Sequence, residues 1–155
     1  MTSDQIDRFE QAAMLDAVAG QIGHVVWALQ HLEWMLSRYA VMVQPQIRGI
    51  GLTAAAPILA KAEKKTFGAS LRGLVGAKHI EGELATRLAA IVEERNWIVH
   101  RSRDDNRGII NSRQRCAALL DRLERANAEC ADLQHEVLGL MTGLAEKTGV
   151  PQAIA

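Results

Sequence analysis

From Ser112 to Gly149 the chain contains no proline, and apolar residues return every three, then four, positions: Cys116, Leu119, Leu123, Ala126, Cys130, Leu133, Val137, Leu140 and Leu144. This is the heptad seam of one long helix. Ser112 is placed to cap its start, and Gly149 and Pro151 to stop it at about Lys147. A seam so narrow needs a partner. Either a bundle core of the same chain or a second chain can supply it, and the pattern alone leaves both open.

The remaining sequence favours the same class. Aromatic residues make up only 4 % of the 155 residues, the three prolines are Pro45, Pro57 and Pro151, and no stretch alternates as a strand does. We therefore expect an all-α protein, a four- to five-helix up-and-down bundle with long first and last helices. The length supports one domain over residues 1–155 that needs no disulfide or metal to fold, with 1–17 and 148–155 expected to be peripheral or flexible.

A first helix, capped by Ser3 or Asp4, should run to about Val43, with Ile22, Val25, Leu29, Leu32, Leu36, Tyr39 and Val43 in one apolar stripe. Gly20 and Gly23, and the shifted phase of Ile6, Phe9, Ala13 and Leu15, predict a bend or break in its N-terminal half. Pro45 and Gly49-Ile50-Gly51 end it. A short helix is expected at about 53–65 with Pro57 in its first turn, then a cap and a glycine-rich helical segment at 66–75. A fourth helix should span about 81–100, with Leu84, Leu88, Ile91 and Val92 facing inward, before a polar loop at 101–108.

Eighteen basic and eighteen acidic side chains cancel, so bulk charge selects neither nucleic acid nor membrane. Their distribution is uneven. Lys61, Lys64, Lys65, Arg72 and Lys78 surround one acid, Glu63, and Arg95, Arg101, Arg103, Arg107, Arg113 and Arg115 surround Asp104 and Asp105. If the two segments converge they form a patch suited to a polyanion; as separate solvated helix faces they do nothing further. There is no charged-then-apolar leader pattern and no uninterrupted apolar run of spanning length, so a cytoplasmic protein without membrane contact is expected. Cys116 and Cys130 fit that setting, because fourteen residues on one helix separate them by ~21 Å and no disulfide forms within it.

The residues that combine phosphate-binding and proton-transfer chemistry lie in Glu94-Arg95-Asn96-Trp97-Ile98-Val99-His100-Arg101. Arginine offers a planar fork of donors to phosphate oxygens, and histidine exchanges a proton near neutrality. Together they suit cleavage of RNA by its own 2′-hydroxyl without a metal: His100 moves the proton, Arg95 stabilises the charged phosphorane, and Asn96 orients one of them. Arg101 and Arg103, just beyond, are candidates for binding the RNA backbone. Asn96 and His100 share a helix face, whereas Arg95 is turned away, so one groove receives all three only across the helix end or with a second chain. As a purely structural feature, cations in a last turn also complement the helix dipole.

Other candidates are thinner. His24 and His31 are two turns apart, and His79 with Glu83 lacks a third ligand, so no metal or cofactor is expected. Gly49-Ile50-Gly51 lacks the strand and lysine of a phosphate loop. Trp27, His31, Trp34 and Arg38 form a second stripe on the first helix, readable as core packing, a subunit interface or a groove wall.

Arg95-Asn96, three further residues and His100, late in a helix before a polar loop, resembles the motif of the HEPN superfamily of small helical domains, an arginine, four to six residues and a histidine. The helical order and Thr66-Phe67-Gly68 ahead of the motif helix are also similar to bacterial members, over roughly Val18 to Leu144. The resemblance implies a four- or five-helix bundle that forms a homodimer, with both motifs meeting in one composite ribonuclease site and Glu33 as a supporting partner of Arg95 or His100. It also implies a toxin or phage-defence setting, with an antitoxin protein as a partner; some members only bind RNA or protein. One branch carries a tyrosine, modified with AMP, two residues after the histidine; here that residue is Ser102.

Overall fold

A computed structural model describes residues 3–149. It contains helices α1 (Ser3–Met42), α2 (Leu52–Ala62), α3 (Phe67–Gly76), α4 (Gly82–His100), α5 (Ser102–Asp105) and α6 (Arg113–Thr148). Tight 3-10 turns at Pro45–Ile47 and Ile109–Asn111 complete the fold, which is all-α with no strand among the described residues.

Cross-links between side chains give the directions of the long helices. Arg113 pairs with Glu10, and further along Gln134 Nε2 donates to the Ala28 carbonyl at 2.8 Å, so α6 lies beside α1 and parallel to it. Arg87 pairs with Glu129 and Glu136, while Glu94 pairs with Arg122, so α4 runs antiparallel to α6. The short helices α2 and α3 make the connection between α1 and α4.

Val25, Leu29, Leu32 and Leu36 of α1 and Leu123, Cys130, Leu133, Val137 and Met141 of α6 are buried to 2 % exposure or less and form the centre of the core. The expected seam holds through Val137 and then drifts by one residue. Met141 and Ala145 are buried, whereas Leu140 and Leu144 are only half-buried. A helix of 3.6 residues per turn rotates away from a 3.5-residue repeat, and nothing here supercoils it back. Ser112 accepts from Arg115 N at 3.3 Å, and Gly149, in the left-handed region at φ 65°, closes the other end.

Three expectations need correction. α1 does not break at Gly20 and Gly23: both are exposed within one uninterrupted helix, and the intrinsic cost of about 1 kcal/mol for each glycine is outweighed by packing along α6. Pro57 is the sixth residue of α2 instead of lying in its first turn, so the Thr53 carbonyl loses its helical donor at an exposed position. Segment 101–108 is not all loop, since α5 forms one turn inside it.

The N-terminal part of α1 is helical yet little covered. Among the described side chains Val18 is its first buried apolar residue, and Phe9, Leu15 and Trp27 are exposed. An 18-residue stretch within Asp7–Met42 is long and apolar enough to cross a membrane by length and composition, with 17 % of it buried. The stretch is not an uninterrupted apolar run: alanines, valines and leucines outweigh the polar Asp16, Gln21 and His24 between them. The side chains of Ser3 and Asp4, the expected caps, and Pro151 lie outside the described residues.

Both cysteines are free and buried. Burial first, and the neighbouring Glu129 second, push the Cys130 thiol up to about 12. In the unfolded chain it ionises near its ordinary value of 9.0, so its contribution to stability is complete below pH 9 and is lost as the pH rises toward 12. The urea midpoint should fall between pH 8 and pH 10.5, and fall less in Cys130→Ala; equal losses in both proteins would refute this role.

Candidate active site

Helix α4 is held by Leu88, Ile91, Trp97 and Ile98, all buried. Arg95 is one turn from both Ile91 and Ile98, on the inward edge of the helix, and is half-buried. Asn96 and His100 lie on another side, half-buried and exposed respectively. At 100° per residue Arg95 and His100 point about 140° apart. One chain thus brings Asn96 and His100 together and leaves Arg95 facing elsewhere. No described residue makes a hydrogen bond or ion pair with the side chain of any of the three.

The frame around these side chains is firmly braced. Glu94 accepts from Arg122 Nε and Nη2, both at 2.7 Å, in a fork-to-fork pair, and this bonding raises the Arg122 pKa. The guanidinium carbon of Arg122 lies 3.4 Å from the centroid of the Trp97 ring, and Trp97 Nε1 donates to Asp105 Oδ2 at 2.7 Å. Ser102 is buried and donates to the Ile98 carbonyl at 2.5 Å. Its hydroxyl is occupied in closing α4, at the position where one branch of the resembled family carries its modified tyrosine. Glu94, Arg122, Trp97 and Asp105 were missed as a set by sequence reasoning, because Arg122 comes from a different helix and no local pattern ties it to α4.

Pairing also sorts the basic residues. Arg107 bonds Asp104 at 3.0 Å, Arg113 pairs with Glu10, and Arg115 donates to the Asp105 carbonyl at 3.5 Å. Arg101 and Arg103 are exposed and, like Arg95 and His100, make no ion pair among the described residues. One residue of the other basic segment approaches this surface. A Cβ placed on Gly68 would meet Arg72 Nη1 at 3.3 Å and Val92 Cγ1 at 3.6 Å, so Arg72 lies near the α4 face that continues from Val92 to Asn96 and His100.

Glu33 has a different partner from the expected one. Its Oε1 accepts from Phe67 N at 2.7 Å and satisfies a free N–H at the start of α3, alongside Thr66, whose hydroxyl accepts from Ala69 N at 3.3 Å. No bond from Glu33 to Arg95 or His100 is present. We expect Glu33→Ala to cost about 1–2 kcal/mol in chemical denaturation, with Glu33→Gln recovering most of it. A loss below about 0.5 kcal/mol in Glu33→Ala would overturn this role.

The second stripe of α1 is surface, not core. Trp27 is 76 % exposed and Trp34 37 % exposed; His31 stacks on Trp34 with ring centroids 5.7 Å apart, and Arg38 lies 4.2 Å from the Trp34 centroid. Its polar members explain this, since the opposite face of the same helix already fills the seam with α6. Among the described residues no three His, Cys, Asp or Glu side chains come together as a metal-binding group. No protein-family model, curated protein or solved structure matches the chain.

Proposed function

We propose that this chain is a metal-independent endoribonuclease of the HEPN type, acting as a homodimer whose composite site takes Arg95, Asn96 and His100 from two copies. The observation that carries this reading is the braced end of α4: its frame residues are mutually bonded, while the arginine, the asparagine and the histidine are left without internal partners. Unspent donors on a rigid support fit a site that binds a substrate oxyanion. Their divergence within one chain favours a second copy.

In this mechanism His100 accepts the proton of the attacking 2′-hydroxyl as its oxygen forms a bond to phosphorus. Arg95 neutralises the charge that develops on the phosphoryl oxygens, and Asn96 steadies the groups between them. His100 then passes that proton to the departing 5′-oxygen, giving a 2′,3′-cyclic phosphate and a 5′-hydroxyl. Arg101 and Arg103 would hold flanking phosphates. A toxin or phage-defence role in the cytoplasm, silenced by an antitoxin protein, extends the same proposal.

The test is incubation of purified protein with RNA in the presence of EDTA. Fragments ending in cyclic phosphate are expected. The exposed Trp27, Trp34 and Phe9 surface favours a second reading, a non-catalytic helical module that binds RNA or protein. RNA retained intact, with binding unaffected by loss of His100, would decide for that module.

A further inference from the structure

A cavity of about 280 Å³ lies between the C-terminal end of α1, the end of α2, and α3. On α3 its wall is Ala69 and Gly73, four apart and therefore on one face, and Ala77 at the helix's C-terminal cap extends the row of small residues. Ala40 of α1 and Val43 just beyond it line the space with them, so much of the slot's wall is apolar.

Two independent features make it more than a gap in packing. Ser70 lines the slot, is 4 % exposed, and its hydroxyl has no hydrogen-bond partner in the chain. Buried hydroxyls are normally satisfied; this oxygen is itself out of reach of the slot as it stands, and rotation about Ser70 Cα–Cβ would turn it toward a ligand oxygen there. The second feature is charge. Lys65 lines the slot, a neighbouring hollow of about 370 Å³ shares Gln44, Ala62 and Lys65 and adds Lys61, and neither is lined by an acid. Gln44 is already engaged, donating to the Ala40 carbonyl at 3.0 Å and accepting from Gln46 at 2.7 Å. Beside His79, Lys61 and Lys65 are the side chains left to meet an anionic head.

We propose that this slot binds a medium-chain acyl carboxylate, its tail along Ala69, Gly73 and Ala77, its carboxylate at Lys61 and Lys65, and an oxygen near the head of the chain bonded by Ser70. The volume is nearly twice the ~150 Å³ that accommodates six-carbon benzene, which gives room for a tail of about ten carbons. None of these residues belongs to α4, so the inference stands apart from the RNA-cleavage reading.

The experiment is an amide ¹H–¹⁵N titration of the full chain with decanoate, kept below its micelle concentration. Saturable shifts should appear at Lys65, Ser70 and Gly73. A Cβ at Gly73 meets nothing within 4 Å, so Gly73→Leu keeps the helix, fills the slot and should weaken binding at least about tenfold. Exposed Lys65 offers a variant without risk to the fold: Lys65→Glu should weaken decanoate about tenfold and improve binding of decylamine. 3-Hydroxydecanoate should bind more tightly than decanoate, and Ser70→Ala should remove that difference. Shifts centred on Trp27 and Trp34, no saturation, or an affinity untouched by both Gly73→Leu and Lys65→Glu would overturn the proposal.

Discussion

His100→Ala is expected to reduce RNA cleavage in EDTA by about 10²–10⁴-fold, the range supplied by a positioned proton-transfer group. Arg95→Ala should lose about 10²–10³-fold through the missing donors to the phosphorane. Arg95→Lys should recover only part, because an ammonium keeps the charge but cannot present two parallel donors to one phosphate. Stability separates chemistry from folding here. Neither side chain has an internal hydrogen-bond or ion-pair partner, and His100 is exposed, so the His100→Ala unfolding free energy should stay within about 0.5 kcal/mol of the parent. Cleavage at the parental rate in both alanine variants would remove these residues from the site. Arg122→Ala provides the contrast: it leaves Glu94 without its forked partner and Trp97 uncovered, so it should lower stability as well as rate.

The helices were legible because each carries its instructions locally. The caps Ser112 and Thr66, the left-handed Gly149 and the three-then-four spacing of α1 and α6 act within a few residues of where they stand. What the sequence misjudged depended on contacts between helices. Gly20 and Gly23 look like a hinge until α6 is laid beside α1, and Trp27 and Trp34 look like core until the other face of that helix is filled. The candidate site divides in the same way. Arg95, Asn96 and His100 are visible in six consecutive letters, but the brace that fixes them joins Glu94, Trp97 and Asp105 to Arg122, as many as 28 residues away along the chain. Glu33, assigned to that site by resemblance, spends its carboxylate on the start of α3, because a helix beginning beside it presents free N–H groups at 2.7 Å.

Mixing two inactive variants should restore activity. If each complete site joins Arg95 of one copy to His100 of the other, an Arg95→Ala chain paired with a His100→Ala chain keeps one intact site and loses the second entirely. Random exchange makes half of the dimers mixed, each with half of its sites, so the mixture should regain about a quarter of parental cleavage. The recovery should appear only after subunit exchange, for instance on co-refolding, and should scale with the mixed species resolved by mass spectrometry. The geometry explains why this test is decisive. Arg95 sits toward Ile91 and Ile98 while His100 continues the line from Val92 and Asn96, so the two side chains leave a single α4 about 140° apart, and a second copy is the simpler way to bring both onto one phosphate. A mixture as inactive as its components, although dimeric, would mean that both groups act from the same chain, and the composite site would have to be abandoned even if the nuclease assignment survived.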